Sequence, residues 1–522
     1  MRRMQQAQVS LVALAGLLIV PACRTTAPKA AAVLMITAVD ATTGREFAVR
    51  MHLKDADGQE IVPQTAPAAF PSGTVAWKDH FVFDGSVKIH LPAGRYTYEI
   101  EHGPEYRLVK GSVTLLPGAE QARVHTLHRF VDMKRDGWWS GELHVHRPLA
   151  DVELLMRAED LHVAPIITWW NEQNRWQNTP IPDQLLVRFD TNRFYHLMAG
   201  EDERQGGALL YFNLQQPLPI QVAKKEYPSP VEFLEMARAQ VGAHIDVEKP
   251  FWWDVPVWVA TGKVDSIGLA NNHLYRDGVY PDEAWGRPRD QSEFPSPHGN
   301  GKWSQSIYYH LLNCGLRIAP SAGSASGVLA NPVGYNRVYV FCGEQLTYQR
   351  WWDGLRAGRV VVTNGPMLRP SVNGQLPGHV FRGVAGKTIV LQPKVAVSLR
   401  DKVESLEIVK DGEVVERVRL TDLERAHGRL PDVEFERSGW MLVRAVTDKP
   451  ETYRFAMTGP FYVEIDGRRR VSRRSAQFFL DWVNERAEQI QLKDADQLAS
   501  VMRTHRSARR YWQDLVKAAN SR

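Results

Sequence analysis

Hydrophobic periodicity changes character three times along this 522-residue chain, so no single sheet or bundle can absorb all of it. Between residues 32 and 130 the segments 34–39, 47–53, 87–91 and 96–100 alternate apolar with polar side chains, as half-buried strands do. Asp57-Gly58, Pro92-Ala93-Gly94 and Pro117-Gly118 supply the backbone angles that tight connections need, and the stretch is expected to be a β-sandwich. From 131 to 365 the pattern becomes strand then helix, repeated. Residues 152–161 have helical spacing, 164–170 form a continuous apolar strand, and a helix opened by Pro230 covers 230–238. Such alternation predicts a parallel sheet, and the apolar runs 242–246 and 264–271 end in polar residues, where α/β barrels carry their chemistry. Residues 366–467 return to alternation, with a hairpin turning at Asp411-Gly412, and predict a second sandwich. The remainder, 468–522, reads as a helical tail with Phe479, Trp482, Val483 and Ile490 on one face and a second start at Asp494. Its opening Arg468-Arg469-Arg470 reads as a solvated linker.

A hydrophobic fraction of 44% and a charged fraction of 24% are ordinary for a globular protein, and a formal charge of +5 is small at this length, which argues against a nucleic-acid partner. The N-terminus looks like an export signal. Arg2 and Arg3 precede an apolar run over 9–20, too short to span a bilayer, and Val20-Pro21-Ala22-Cys23 resembles a bacterial lipoprotein cleavage box. Residues 1–23 are therefore expected to be a signal peptide with Cys23 as the lipid anchor, placing the protein in the periplasm or on the outer membrane; ordinary cleavage near Ala30-Ala31-Ala32 is the alternative. Only Cys314 and Cys342 follow, enough for one disulfide but not for a thiolate zinc site.

His144-Val145-His146 is the stretch that points to chemistry. Two histidines one residue apart on a strand project from the same side, and a strand holds the rings so that one cation can take both nitrogens at about 2.0–2.1 Å. The bland alternative is a pair of histidines on a solvated face.

The middle segment resembles the PHP superfamily of metal-dependent hydrolases, and within it the CehA/McbA-type branch. Residues 139–146, ending Gly141-Glu142-Leu143-His144-Val145-His146, match an opening "G-D-L-H-x-H" motif, and residues 158–171 are similar to the second motif. Met198-Ala199-Gly200-Glu201 resembles the segment supplying a bridging glutamate, His244 in Gly242-Ala243-His244 matches the fourth ligand segment, and residues 357–366 look like the closing "G-R-x-x-V-T-x-G-P". The likeness covers about 230 residues and rests on the order of its motifs. It implies an α/β fold: a distorted (βα) barrel of PHP type, flanked by the two β-sandwiches and the helical tail.

Two departures from the pattern matter. Trp169-Trp170 stand where the family has Asp-His, and Gly323-Ser324-Ala325-Ser326-Gly327 stands where it has "G-S-D-x-H", so several ligands of a trinuclear site are gone. What the resemblance leaves is His144, His146, Glu201 and His244 around one divalent cation, zinc first, with iron or manganese as alternatives. His273, Asp246 and Glu248 are possible stand-ins for a missing ligand. Metal-activated water would hydrolyse an ester, carbamate, amide or phosphoester, with Glu172, Asp246 or His273 as general acid. Trp169, Trp170 and Asn171 would line the substrate site, although indoles serve equally well as core. The competing reading is a decayed catalytic domain that binds a carbohydrate in a cleft lined by Trp169, Trp170, Trp176, Trp252, Trp253 and Trp258.

Overall fold

A computed structural model describes residues 31–521. The expected signal peptide and the expected anchor at Cys23 lie outside the described residues. Among those described, no helix is long and apolar enough to cross a membrane.

The N-terminal alternation produces two sheets with their apolar faces together. Ala31–Asp40 runs between Ser86–Pro92 and Glu120–Leu127 in one sheet, and Val49–Lys54 sits in the other beside Gly94–Glu101. Leu34, Ile36, Met51, Leu53, Ile89 and Ile100, inward members of both sheets, share one buried cluster.

Strands from residue 138 onward join in one closed ring that takes in strands up to residue 465. Val163–Trp170 pairs in parallel with Arg193–Arg204, which turns back through Gly207–Phe212 to His244–Val247; Ser266–Ala270 and Ala319–Ala322 follow in parallel. The ring closes around the H-x-H segment. Leu143 donates its N–H to the Ala322 carbonyl (2.9 Å), and Val145 bridges both Ile166 and Ser326. The antiparallel excursion through Gly207–Phe212 breaks the strict strand–helix repeat, because the short connection from Arg204 to Gly207 cannot hold a crossover helix. Helices form where expected: Pro230–Arg238 opens with Pro230, and the Ser229 side chain accepts from the Val231 N–H.

Beyond residue 365 the structure differs from two independent modules. Val360–Thr363 pairs on one side with Arg337–Phe341 and on the other with Phe455–Thr458, so hydrogen bonding runs through the expected boundary. Trp138, Tyr339 and Val361 from the barrel side share a core with Leu406, Ile408 and Phe461. The C-terminal helices, Arg473–Gln489 and Ala495–Ala518, are not a loose tail either. Phe479, Trp482 and Trp512 join the barrel's hydrophobic cluster, the Trp512 indole donates to the Pro256 carbonyl (2.9 Å), and Arg486 is held by Asp254 and Glu226 at 2.7 and 2.5 Å. Both cysteines are free thiols, which corrects the disulfide allowed by the sequence.

Candidate metal centre

Three of the four expected ligands meet at one point. His144 Nε2 lies 3.0 Å from His146 Nε2 and 3.3 Å from Glu201 Oε2, and His146 Nε2 lies 3.0 Å from the same Glu201 oxygen. A triangle with those sides fits a circle of about 1.8 Å radius, so a point about 2.0–2.1 Å from all three ligand atoms exists, the distance zinc takes to nitrogen and oxygen. Glu201 Oε2 is buried and makes no well-aligned hydrogen bond; its neighbours are the two imidazole nitrogens, the arrangement of atoms that would share a cation.

The strand geometry explains the meeting. Glu201 sits on Arg193–Arg204, whose neighbour Val163–Trp170 is in turn bridged by Val145. The loop at 323–327 presses closely on both histidines. A Cβ at Gly323 would stand 2.4 Å from the His144 Cβ, and one at Gly327, whose φ is +104°, 2.5 Å from the His146 carbonyl oxygen. Glycine alone lets that backbone come so close. Glu142 secures the same loop, accepting from the Ser324 N–H (2.5 Å) and from the Gly334 N–H; burial pushes its carboxyl up to about 7 despite those donors.

Around the triad stands a charged shell. His144 Nδ1 is 3.3 Å from Glu248 Oε1, and Glu248 also accepts from Lys249 (2.5 Å), the Trp252 indole (2.8 Å) and Asn272 (2.9 Å). Burial opposes a charge on His144, but Glu201 and Glu248 outweigh it and raise its pKa to about 10. In Glu201 burial is likewise overcome, by His144 and His146, and the carboxyl falls to about 2. His146 is lowered, since burial outweighs Glu201. Farther along the same face of the Glu201 strand is Glu203, whose Oε2 accepts from the Trp170 indole (3.1 Å); burial, then Glu201 and Glu248, push it up to about 8. Glu203 lines a cavity of about 430 Å³ with Asn171, Glu172, Lys224 and the exposed Trp285.

The remaining sequence-derived candidates fall in different places. His244 is not with the other ligands: its Nε2 is 2.7 Å from Ser266 Oγ and its ring packs 4.8 Å from Trp352. The residue that reaches His144 is Glu248, in the bend just past the end of the strand His244–Val247 that begins with His244. Asp246, between them, accepts from Ser266 (2.5 Å) and Ser321, and burial lifts it to about 7. His273 is enclosed by Phe251, Tyr280 and Asn300 (3.2 Å), and burial drops it to about 3. Neither Asp246 nor His273 lines the cavity, whereas Glu172 does and is exposed.

Trp169 is fully buried against Gly200 and Tyr211, which removes it from any substrate wall, and Trp252 and Trp258 are buried as well. Trp170 is half-buried, its ring 5.0 Å from that of His146. Asn171, at φ +50°, accepts from the Glu203 N–H (2.9 Å) and so fixes the cavity's backbone. Glu203 escaped the sequence reading, although Glu201-x-Glu203 shows the same two-residue spacing that marked the histidines.

A second group, His52, Asp79 and His80, also brings ligand atoms together. Its hydrogen bonds do not suit a cation. Arg50 Nη1 is 2.6 Å from His52 Nε2 and can only donate, so the His52 proton sits on Nδ1, facing Asp79 at 3.4 Å; His80 Nδ1 is 2.8 Å from the same carboxylate. Arg50 is anchored by Glu159 (2.6 Å) and Glu101 (2.7 Å), which keeps a fixed positive charge beside the cluster.

No family model matches the chain, and no curated protein matches it. Among solved structures it is similar to the TIE protein of Bacillus anthracis, at 19% identity over 23% of this chain and 20% of that one, with a TM-score of 0.15. The minor pilin GBS52 of Streptococcus agalactiae shows 19% identity over 20% of this chain and 45% of that one, also at 0.15. Phospholipase PlaB of Legionella pneumophila shows 14% identity over 20% and 26%, again at 0.15. The chain thus spans less than half the length of each, and likenesses at that TM-score say nothing about the site.

Proposed function

We propose that this protein is a metal-dependent hydrolase of ester, carbamate, amide or phosphoester bonds, with His144, His146 and Glu201 holding one divalent cation, zinc in the first instance. The observation that carries the reading is the convergence of three buried ligand atoms, His144 Nε2, His146 Nε2 and Glu201 Oε2, at 3.0–3.3 Å from one another. Two histidines and one carboxylate with a coordination position left over is the ligand set of catalytic rather than structural zinc. The H-x-H segment inside a closed ring of strands supports kinship with the PHP barrel.

When bound, a divalent cation lowers the pKa of water to about 7 and polarises the oxygen of a scissile bond. The chain's own residues do the rest. Glu248 accepts the His144 Nδ1 proton and so leaves Nε2 free to bind. Glu203, two residues along the strand from Glu201, held by Trp170 and lining a cavity, is the side chain we assign to pass a proton to a leaving group, with the exposed Glu172 lining the same cavity. Asn171 shapes that cavity through the backbone of Glu203. For the carbohydrate-binding alternative, Trp169, Trp252 and Trp258 are core residues, which leaves Trp170, Trp176 and Trp253, each half-buried, as the indoles able to meet a ligand.

Export with lipidation at Cys23 remains part of the proposal, and the mass of the mature N-terminus tests it. For the activity, purified protein is loaded with zinc, iron or manganese and offered a panel of nitrophenyl esters and phosphates. Turnover that follows metal content and disappears in His146→Ala is expected. Stoichiometric metal without turnover on any of them would return the protein to the binding class.

A further inference from the structure

The arginine-rich stretch that opens the C-terminal helices has no part in the metal centre. Residues 468–522 carry 13 Lys and Arg against 6 Asp and Glu, a formal charge of +7, while the other 467 residues carry 51 against 53, or −2. The net positive charge of the whole chain therefore resides in its last 55 residues, the C-terminal helical pair together with the arginine run before it.

That charge is arranged. In Ala495–Ala518 the side chains of Val501, His505, Ala508 and Trp512 are buried. At about 100° per residue, Arg503, Arg506, Arg510 and Lys517 fall on the opposite side, spread over about 21 Å of helix, and all four are exposed. Among the described residues Arg503, Arg506, Arg509 and Arg510 make no ion pair; Arg503 and Arg510 donate only to Ser500 (3.1 Å) and Ser507 (3.5 Å). Asp514 is the sole acid between 503 and 517, and it faces Lys517 at 3.5 Å. The strip continues past the helix end. The Arg473 N–H donates to the Ser521 carbonyl (2.9 Å) and the Asn520 amide to the Arg469 carbonyl (2.7 Å), which brings the exposed Arg468, Arg469, Arg473 and Arg474 alongside. Arg469 alone of these has an acid nearby, Glu464 at 3.6 Å.

We propose that this face is a docking surface for an anionic phospholipid bilayer. A straight row of unpaired guanidinium groups matches a flat sheet of phosphates, and each basic side chain near such a surface adds to the attraction. The outward positions between 503 and 517 carry no aromatic ring for stacking on bases and no large apolar side chain for insertion, so adsorption is electrostatic, reversible and sensitive to salt.

The test uses the full chain and its Arg503→Glu/Arg506→Glu/Arg510→Glu variant, floated with vesicles of phosphatidylcholine alone or mixed with phosphatidylglycerol. Because the exposed arginines support no core, circular dichroism of the variant should match the parent. At low ionic strength the parent is expected to bind the mixed vesicles, salt to release it, and the variant to bind at least about tenfold more weakly. Whatever binding the N-terminus contributes is common to both proteins and shows on neutral vesicles. Equal binding of parent and variant to the mixed vesicles, or no preference of the parent for them over phosphatidylcholine, would overturn the proposal. So would a variant that keeps its vesicle binding while losing affinity for duplex DNA.

Discussion

His144 lies between two carboxylates, with Nε2 3.3 Å from Glu201 and Nδ1 3.3 Å from Glu248. One imidazole nitrogen thus faces the proposed cation while the other is held by an acid that is itself saturated by Lys249, Trp252 and Asn272. A carboxylate in that position fixes the ring and strengthens it as a ligand, so Glu248→Gln should weaken zinc affinity about 10–100-fold with the fold intact. Competition with a chromophoric chelator measures it, and unchanged affinity would remove Glu248 from the centre.

Gly323 gives a steric test. Gly323→Ala places a methyl 2.4 Å from the His144 Cβ, so either the loop or the histidine must move. Metal affinity is expected to fall by roughly tenfold, while Gly343→Ala, where nothing lies within 4 Å, should leave it unchanged. Isothermal titration of both variants separates local crowding from a general effect of replacing glycine.

How much of this was legible beforehand depends on which dimension is asked about. A period of two paired His144 with His146, and the two do meet, although the regular strand expected to carry them ends at Gly141 and only Val145 between them bridges neighbouring segments. Depth along the strand is not encoded in that period. His244 opens the strand and Glu248 follows its end, and only Glu248 reaches the triad, because barrel closure and register set which end of the strand meets the site. The tryptophans show the same limit. Trp169 and Trp170 are neighbours pointing to opposite faces, and only the ring of neighbouring strands decides that Trp169 is core and Trp170 lies beside His146. The C-terminal helices were legible as helices from their caps, such as Asp494 accepting from the Gln497 N–H, but not as part of the barrel, since burial of Trp512 against Pro256 is a contact 256 residues apart in sequence.

Buried neutral histidine should make stability depend on pH. His102, bonded through Nδ1 to the Ala48 carbonyl (2.7 Å), is lowered to about 4 by burial, against about 6.5 in an unfolded chain. The unfolded state therefore takes up a proton that the folded state refuses. Stability from this group is complete above pH 6.5 and is lost as pH falls towards 4, by on the order of 2 kcal/mol at pH 5. His102→Gln lacks the effect, so its deficit relative to wild type in urea should shrink between pH 7.5 and pH 5. A deficit independent of pH would contradict the burial of a neutral imidazole.

Metal content decides whether a cation is shared by His144, His146 and Glu201. Elemental analysis of zinc-loaded, desalted protein should give one equivalent in wild type, none in His146→Ala or Glu201→Gln, and one in both His244→Ala and His80→Ala, with His244→Ala costing about 2–4 kcal/mol of stability for the cavity left beside Trp352. Metal retained in His146→Ala but lost from His244→Ala or His80→Ala, or absent from the wild type, would contradict it.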